Sequence, residues 1–306
     1  MILTSIIIPV LSLVAVFLWS IHKFSGHIHR AADGGFKRAL QKITSSPIRG
    51  VFTGGIFTSL IQSSTATTVI LVGLVNAGVL SFSHSIGVIL GANIGTTITS
   101  QLVALKITNI APYIIIIGFL ITYFGRRYKS WGKPIFYFGL VFFSLSLISL
   151  YIEPVRTNPD VISIFSGITN PLTAIIAGFL FTAIVQSSSV TSALVIVIAG
   201  TGLLDFNQAF PIILGAKLGT TVTVLLVAMS LNREAKRTAV AHFLFNFLGL
   251  LIFLPFLVPF ANLVAMIGGG VEQNIASAHI LFALINAIIF LILFKPFTRV
   301  VQFIVP

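Results

Sequence analysis

The 306-residue chain has no cysteine, which excludes disulfides, thiolate metal sites and cysteine nucleophiles. Acidic residues are almost as scarce. The six Asp and Glu residues all lie outside the long apolar runs, so no buried carboxylate pair is available for acid–base or hydrolytic chemistry, and an enzyme is not expected. Charged residues of either sign make up 8% of the chain against 57% hydrophobic residues. That balance excludes a soluble domain and describes an all-α polytopic membrane protein whose first partner is the lipid bilayer. A net charge of +12 can signal nucleic acid, but here the basic residues sit in short connections between apolar runs, so no nucleic-acid partner is expected.

What the chain does have is a duplication. QSSTATT at 62–68 recurs as QSSSVTS at 186–192, and GANIGTTIT at 91–99 recurs as GAKLGTTVT at 215–223, both at an offset of 124 residues. Residues 50–105 align with 174–229 without a gap, giving 21 identities in 56 positions. The identities gather on Gln, Ser, Thr and Gly. Polar groups in apolar surroundings are costly unless satisfied, so paired polar clusters imply a shared binding site in a transporter built from two repeats.

Charge sets the topology. Of the eighteen Lys and Arg, six fall in 22–49, four in 126–133, three in 233–237 and two, Lys295 and Arg299, in the tail. The positive-inside rule puts all four stretches in the cytoplasm. Three full crossings between 49 and 126 would break that rule. It holds if about 50–80 enters and leaves on one side as a re-entrant hairpin with its QSS at the tip, each arm being too short for a bilayer core of about 30 Å. The same argument makes about 173–200 a second hairpin, entering from outside. The expected architecture is therefore two inverted-topology repeats. The first, 1–125, holds a span, a hairpin and two spans; the second, 126–258, holds the same upside down. Residues 259–306 supply a seventh span and a cytoplasmic tail. The apolar stretch Thr4–Ile21 has its positive flank on its C-terminal side, so it is expected to remain uncleaved with the N-terminus outside. His22, His27 and His29 invite a metal reading. With Asp33 as their one acidic neighbour they fit better a basic segment lying against anionic lipid, and no metal other than Na⁺ is expected.

At a hairpin tip, QSS frees backbone groups. The first turn of the following half-helix offers N–H donors and a positive dipole end to an anion, joined by the hydroxyls of Ser63, Ser64, Thr65, Ser187, Ser188 and Ser189. Freed carbonyls, with the oxygens of Gln62, Gln186, Asn93, Thr96, Thr97, Thr220 and Thr221, suit Na⁺. Lys217 stands where the first repeat has Asn93, a cation deep in a span that could pair with the anion or take the place of a bound ion. Asn76, His242, Asn246, His279 and Asn286 have no duplicated partner and are read as hydrogen bonding between helices.

The QSS pair with GANIGTT and GAKLGTT resembles the type II sodium-dependent phosphate cotransporter family and its bacterial members, over about 50–105 and 174–229. The resemblance implies inverted repeats, two re-entrant QSS hairpins and Na⁺-coupled movement of inorganic phosphate across the cell membrane. It also implies a site from Gln62–Thr65 and Gln186–Ser189 supported by Asn93, Thr96, Thr97, Thr220 and Thr221. Lys217 and Leu218 depart from the family's usual Asn and Ile. The chain resembles a short form without the cytoplasmic regulatory domain of many bacterial relatives. A homodimer is compatible with such a transporter, and the alternative reading is a sodium- or proton-coupled carrier of another small organic anion.

Overall fold

The computed structural model describes residues 2–43, 46–126, 128–168 and 170–306, with backbone only for 2–5, 31–43, 155 and 164. The side chains of Asp33, Lys37, Arg38 and Lys42, and Arg127 altogether, lie outside the described residues. The structure is 86% helical, with no strand among the described residues. In chain order the helices are α1 (Ile2–Ile43), α2 (Pro47–Ile61), α3 (Ser64–Asn76), α4 (Phe82–Gly95), α5 (Thr97–Ala104), α6 (Ala111–Phe124), α7 (Lys129–Ile152) and α8 (Pro159–Ser166). There follow α9 (Pro171–Val185), α10 (Ser188–Gly200), α11 (Phe206–Ala228), α12 (Arg233–Phe253), α13 (Leu257–Ala265), α14 (Val271–Ile292) and α15 (Phe294–Ile304).

Seven helical stretches among the described residues are long and apolar enough to cross a membrane: Ile6–Arg30, Phe82–Ala104, Ile107–Phe124, Lys129–Ile152, Phe206–Ala228, Arg233–Ala265 and Val271–Ile292. Thr96 keeps right-handed helical angles, so α4 and α5 run on as one span. The pairs α2–α3 and α9–α10 fall short, at 15 and 13 residues in each case, or about 22 and 20 Å at 1.5 Å per residue. One expected boundary moves. Residues 22–30 continue α1 rather than starting a separate surface segment, because Phe24 and Ile28 extend its buried face.

Burial orders the helices. The α4–α5 and α11 spans, which carry the two GA(N/K)xGTT elements, are 78% and 72% buried over their apolar windows, whereas Ile107–Phe124 is 11% buried. The repeated elements are thus the centre of the molecule, and α6 turns its apolar residues outward. Helix α14 stitches the interior, contributing Ile275 to one apolar cluster, Phe282 to a second and Phe290 to a third.

Two backbone-to-backbone seams hold α2 against α4 and α9 against α11. A Cβ at Gly91 would overlap the carbonyl oxygen of Val51, and one at Gly215 would overlap that of Ile175. Gly54 meets Val88 and Gly178 meets Ile212 in the same way. Every residue in the second seam lies 124 positions after its counterpart, so the duplicated glycines are packing residues that let two helices touch without side chains between them.

This packing predicts that Gly91→Ala and Gly215→Ala each destabilise the protein by about 1–3 kcal/mol, as overpacking does. Gly73→Ala, which meets nothing within 4 Å in mid-helix, should be neutral or stabilising. Thermal unfolding in detergent, followed by fluorescence-detected size exclusion, reads the difference.

Candidate functional site

The two QSS sequences fold identically at the backbone. Gln62 and Gln186 both take φ 60°, the left-handed region that is unfavourable for a side chain, and end α2 and α9. Their N–H groups donate to Thr58 O at 2.7 Å and Thr182 O at 2.6 Å. Ser63 and Ser187 then turn extended and cap the next helices. The Ser63 oxygen accepts from Ala66 N at 3.1 Å, and that of Ser187 from Val190 N at 3.5 Å. Each pair is clamped by hydroxyls, Thr58 to Thr67 at 2.9 Å and Thr182 to Thr191 at 2.6 Å. With the caps made, helix geometry still leaves the first-turn N–H groups of Ser64 and Thr65, and of Ser188 and Ser189, without an intrahelical acceptor.

The breaks meet, and they do so reciprocally. Thr65 donates its hydroxyl to Gln186 O at 3.3 Å, and Ser189, the counterpart of Thr65, donates to Gln62 O at 3.4 Å. Together they wall a cavity of about 580 Å³. Its polar side is Gln62, Ser63 and Thr65 facing Gln186 and Ser187; its apolar side includes Leu18, Ile21, Val69, Val185 and Val190. Ser64, Ser188 and Ser189 lie buried immediately behind.

The two glutamines differ in use. The Gln62 side chain is closed off, its Oε1 accepting from Thr99 and its Nε2 donating to Ser59 O. Gln186 is exposed to the cavity. Asn93, Thr96, Thr97, Thr220 and Thr221 are all buried away from this cavity. The four threonines donate to carbonyls of their own helices, which leaves their oxygen lone pairs available. Lys217, 4% exposed, donates from Nζ to the backbone oxygen of Asn93 at 2.9 Å. Residues at equivalent positions of the two repeats therefore touch. Beside them is a water-sized cavity of about 10 Å³ shared with Asn246 and Asn286.

Sequence reasoning missed the contribution of α1. His22 and Ser25 line the large cavity, and His22 is its one titratable side chain among the described residues. Lying outside the duplicated stretch, α1 carried no signal of this. The polar residues without duplicates divide. Asn76 accepts twice from Asn232 at the head of α12, through its side-chain and backbone oxygens, and His279 pairs with Ser100 at 2.7 Å, both between helices. Asn246 and Asn286 instead turn their amides onto His242 O and Phe282 O, four residues back in their own helices, a correction to their reading as links between helices.

The sequence model described as Na⁺/Pi-cotransporter matches residues 16–150 and 159–301. The chain belongs to the Na⁺/Pi-cotransporter family. Its relatives include "Uncharacterized protein YqeW" of Bacillus subtilis, 32% identical over 88% of this chain and 89% of that one. The "Putative inorganic phosphate export protein YjbB" of Salmonella typhimurium is 29% identical over 84% of this chain and 48% of its own length, so the chain spans about half of that relative. Human "Sodium-dependent phosphate transport protein 2B" is 36% identical over 42% of this chain and 20% of its own length. No solved structure matches. As a family member with seven apolar spans, the protein is a multi-pass membrane protein.

The caps give a test of the local architecture. Ser187→Ala should cost about 1 kcal/mol through loss of the α10 cap, and Ser187→Asn should restore most of it. Equal thermal midpoints for wild type and Ser187→Ala would show that the cap contributes nothing.

Proposed function

We propose that this protein moves inorganic phosphate across the cytoplasmic membrane, coupled to sodium, by alternating access at the cavity between the two QSS breaks. The observation that carries the reading is the reciprocal contact of those breaks, Thr65 to Gln186 and Ser189 to Gln62, around one cavity. Reciprocity of equivalent residues is the pattern of a two-fold relation. With the charge pattern it supports inverted repeats over 1–125 and 126–258, followed by the last span and tail in 259–306. On this reading α2–α3 and α9–α10 are re-entrant hairpins, the N-terminus is outside and the C-terminus cytoplasmic. The protein is then a carrier rather than an enzyme.

The chemistry follows from the helix ends. Phosphate is held by the first-turn N–H groups and hydroxyls of Ser63, Ser64, Thr65, Ser187, Ser188 and Ser189. Sodium is held by carbonyl and side-chain oxygens drawn from Gln62, Gln186, Asn93, Thr96, Thr97, Thr220 and Thr221. No Arg or Lys lines the cavity among the described residues, so the counter-charge for the anion is a sodium ion that leaves with it. In its protonated form Lys217 supplies a further positive charge that does not leave with the substrate. Its ammonium already occupies a backbone carbonyl, Asn93 O, of the kind that coordinates sodium, and so replaces part of the sodium requirement. Net direction follows the combined gradients, which accommodates relatives named for export and for sodium-dependent transport.

The aliphatic wall formed by Leu18, Ile21, Val69, Val185 and Val190 favours a second reading, a carrier of a small organic anion that uses the same helix ends. Competition by such anions against phosphate uptake separates the two.

The first test is radiolabelled phosphate flux in proteoliposomes with and without a sodium gradient. Saturable flux that rises with the gradient and reverses with it is expected. No phosphate flux in folded protein, with uptake of an organic anion, would replace the first reading by the second. Ser64→Ala and Ser188→Ala should each weaken phosphate binding without loss of folding. Lys217→Asn should make uptake more steeply dependent on sodium; an unchanged sodium dependence would remove Lys217 from the coupling.

A further inference from the structure

A second cavity, of about 610 Å³, lies about one turn further along α1, in a cleft where α1, α6 and α7 come together. It is lined by His27 and Arg30 from α1, Thr122 from α6, and Lys129, Ser130 and Lys133 from α7, with no carboxylate among the described lining residues. Arg30 reaches the His27 ring at 3.3 Å, and Arg30, Lys129 and Lys133 line one cavity, so the cations converge on one place rather than merely share a surface. Among the described residues they gather without a counter-charge, which is unfavourable and which an anion relieves.

The walls of the cleft are fixed. On one side α6 and α7 touch at backbone distance, where a Cβ at Gly132 would overlap Thr122 and one at Gly118 would overlap Phe136. On the other, α1 is held to α7 by aromatic contacts: His27 stacks on Tyr137 with centroids 5.6 Å apart, Trp19 meets Tyr137 edge-on at 5.3 Å, and Phe24 meets Phe138 at 5.4 Å. The cleft is therefore held open by packing that owes nothing to its charged side chains.

Its surroundings say which anion. Tyr123, Phe124, Tyr128 and Trp131 are exposed at the same ends of α6 and α7, and aromatic residues of this kind sit at the membrane–water boundary. Away from that boundary α6 exposes Ile116, Ile117, Phe119 and Leu120, an apolar face running from the cleft into the bilayer. Cationic groups and hydroxyls at headgroup level, continuous with an apolar track, match a molecule that is anionic at one end and acyl at the other. We propose that the cleft between α1, α6 and α7 binds the phosphate headgroup of an anionic phospholipid, with an acyl chain along α6. The site is separate from the QSS cavity and stands whatever that cavity carries. It turns the expected attraction of residues 22–49 to anionic lipid into a defined site that draws four of its six lining residues from α6 and α7.

The test uses the full chain in detergent and reads both thermal midpoint and lipid adducts in native mass spectrometry. The probes are phosphatidylglycerol, phosphatidylcholine with the same acyl chains, and inorganic phosphate. Phosphatidylglycerol should raise the midpoint and phosphatidylcholine should not. Lys129→Gln with Lys133→Gln should weaken phosphatidylglycerol binding by about thirtyfold, while the corresponding Lys→Arg pair retains it. Arg30→Gln, measured the same way, gives an independent reading if the double variant does not fold. Equal responses to the two lipids would overturn the proposal, as would unchanged phosphatidylglycerol binding in the Gln variants. Stabilisation by inorganic phosphate that matches phosphatidylglycerol and disappears in the same variants would assign the cleft to a free anion and overturn the lipid.

Discussion

A helix that breaks inside a membrane releases backbone groups that water cannot satisfy, and the whole arrangement depends on where they go. Each QSS break settles part of the debt locally, through the serine cap and the left-handed glutamine whose N–H returns to Thr58 or Thr182. The carbonyls of Gln62 and Gln186 cannot be met that way. Each accepts a hydroxyl from the opposite break. Neither break is complete alone: each completes the other, and the cavity is the space left where they meet.

Strength is distributed unevenly around that meeting line. Within each repeat the broken helix pair is seated on its partner span by glycine seams with no side chain between the backbones, an arrangement that close packing makes stiff. Between the repeats the direct contacts of the breaks are two hydroxyl bonds of 3.3 and 3.4 Å, long for O–H donors. The closely seated units on either side are α2 with α4 and α9 with α11. A carrier working by alternating access needs this distribution, since the site must open without its two walls coming apart.

Much of this was legible in the chain, for a definite reason. Duplication marks both members of a contact. The position of each break at Gln–Ser, the capping serines and the glycines of both seams all fall inside the aligned 56 residues, where chance repetition of polar letters is poor. The seven spans were legible too, because length and apolarity are local properties. Features made by elements from outside the duplication were not. His22 reaches the cavity only because α1 runs unbroken past Ile21, and that continuity depends on Phe24 and Ile28 finding partners elsewhere in the fold. Nor can sequence tell an amide that bonds across helices from one that bonds back four residues, which is what separates Asn76 from Asn246 and Asn286. The unequal fates of Gln62 and Gln186 have the same character: identical letters and identical backbone, but in one repeat alone does a threonine, Thr99, close the side chain.

Lys217 bears on how such a site handles charge. An arginine or lysine in the wall would bind an anion in every state and oppose its release. Lys217 is instead set outside the lining of the cavity, with one N–H committed to Asn93 O. At that depth screening is weak and a charge is felt over a distance, so it can lower the cost of bringing an anion between the helix ends without gripping it. The lysine also reaches, from one repeat, a backbone carbonyl of the other, at a place where both repeats present the same position. A mobile ion there would be free to leave; the lysine is not. With lysine in one repeat where the other has asparagine, the two halves are chemically unequal while their backbones stay alike.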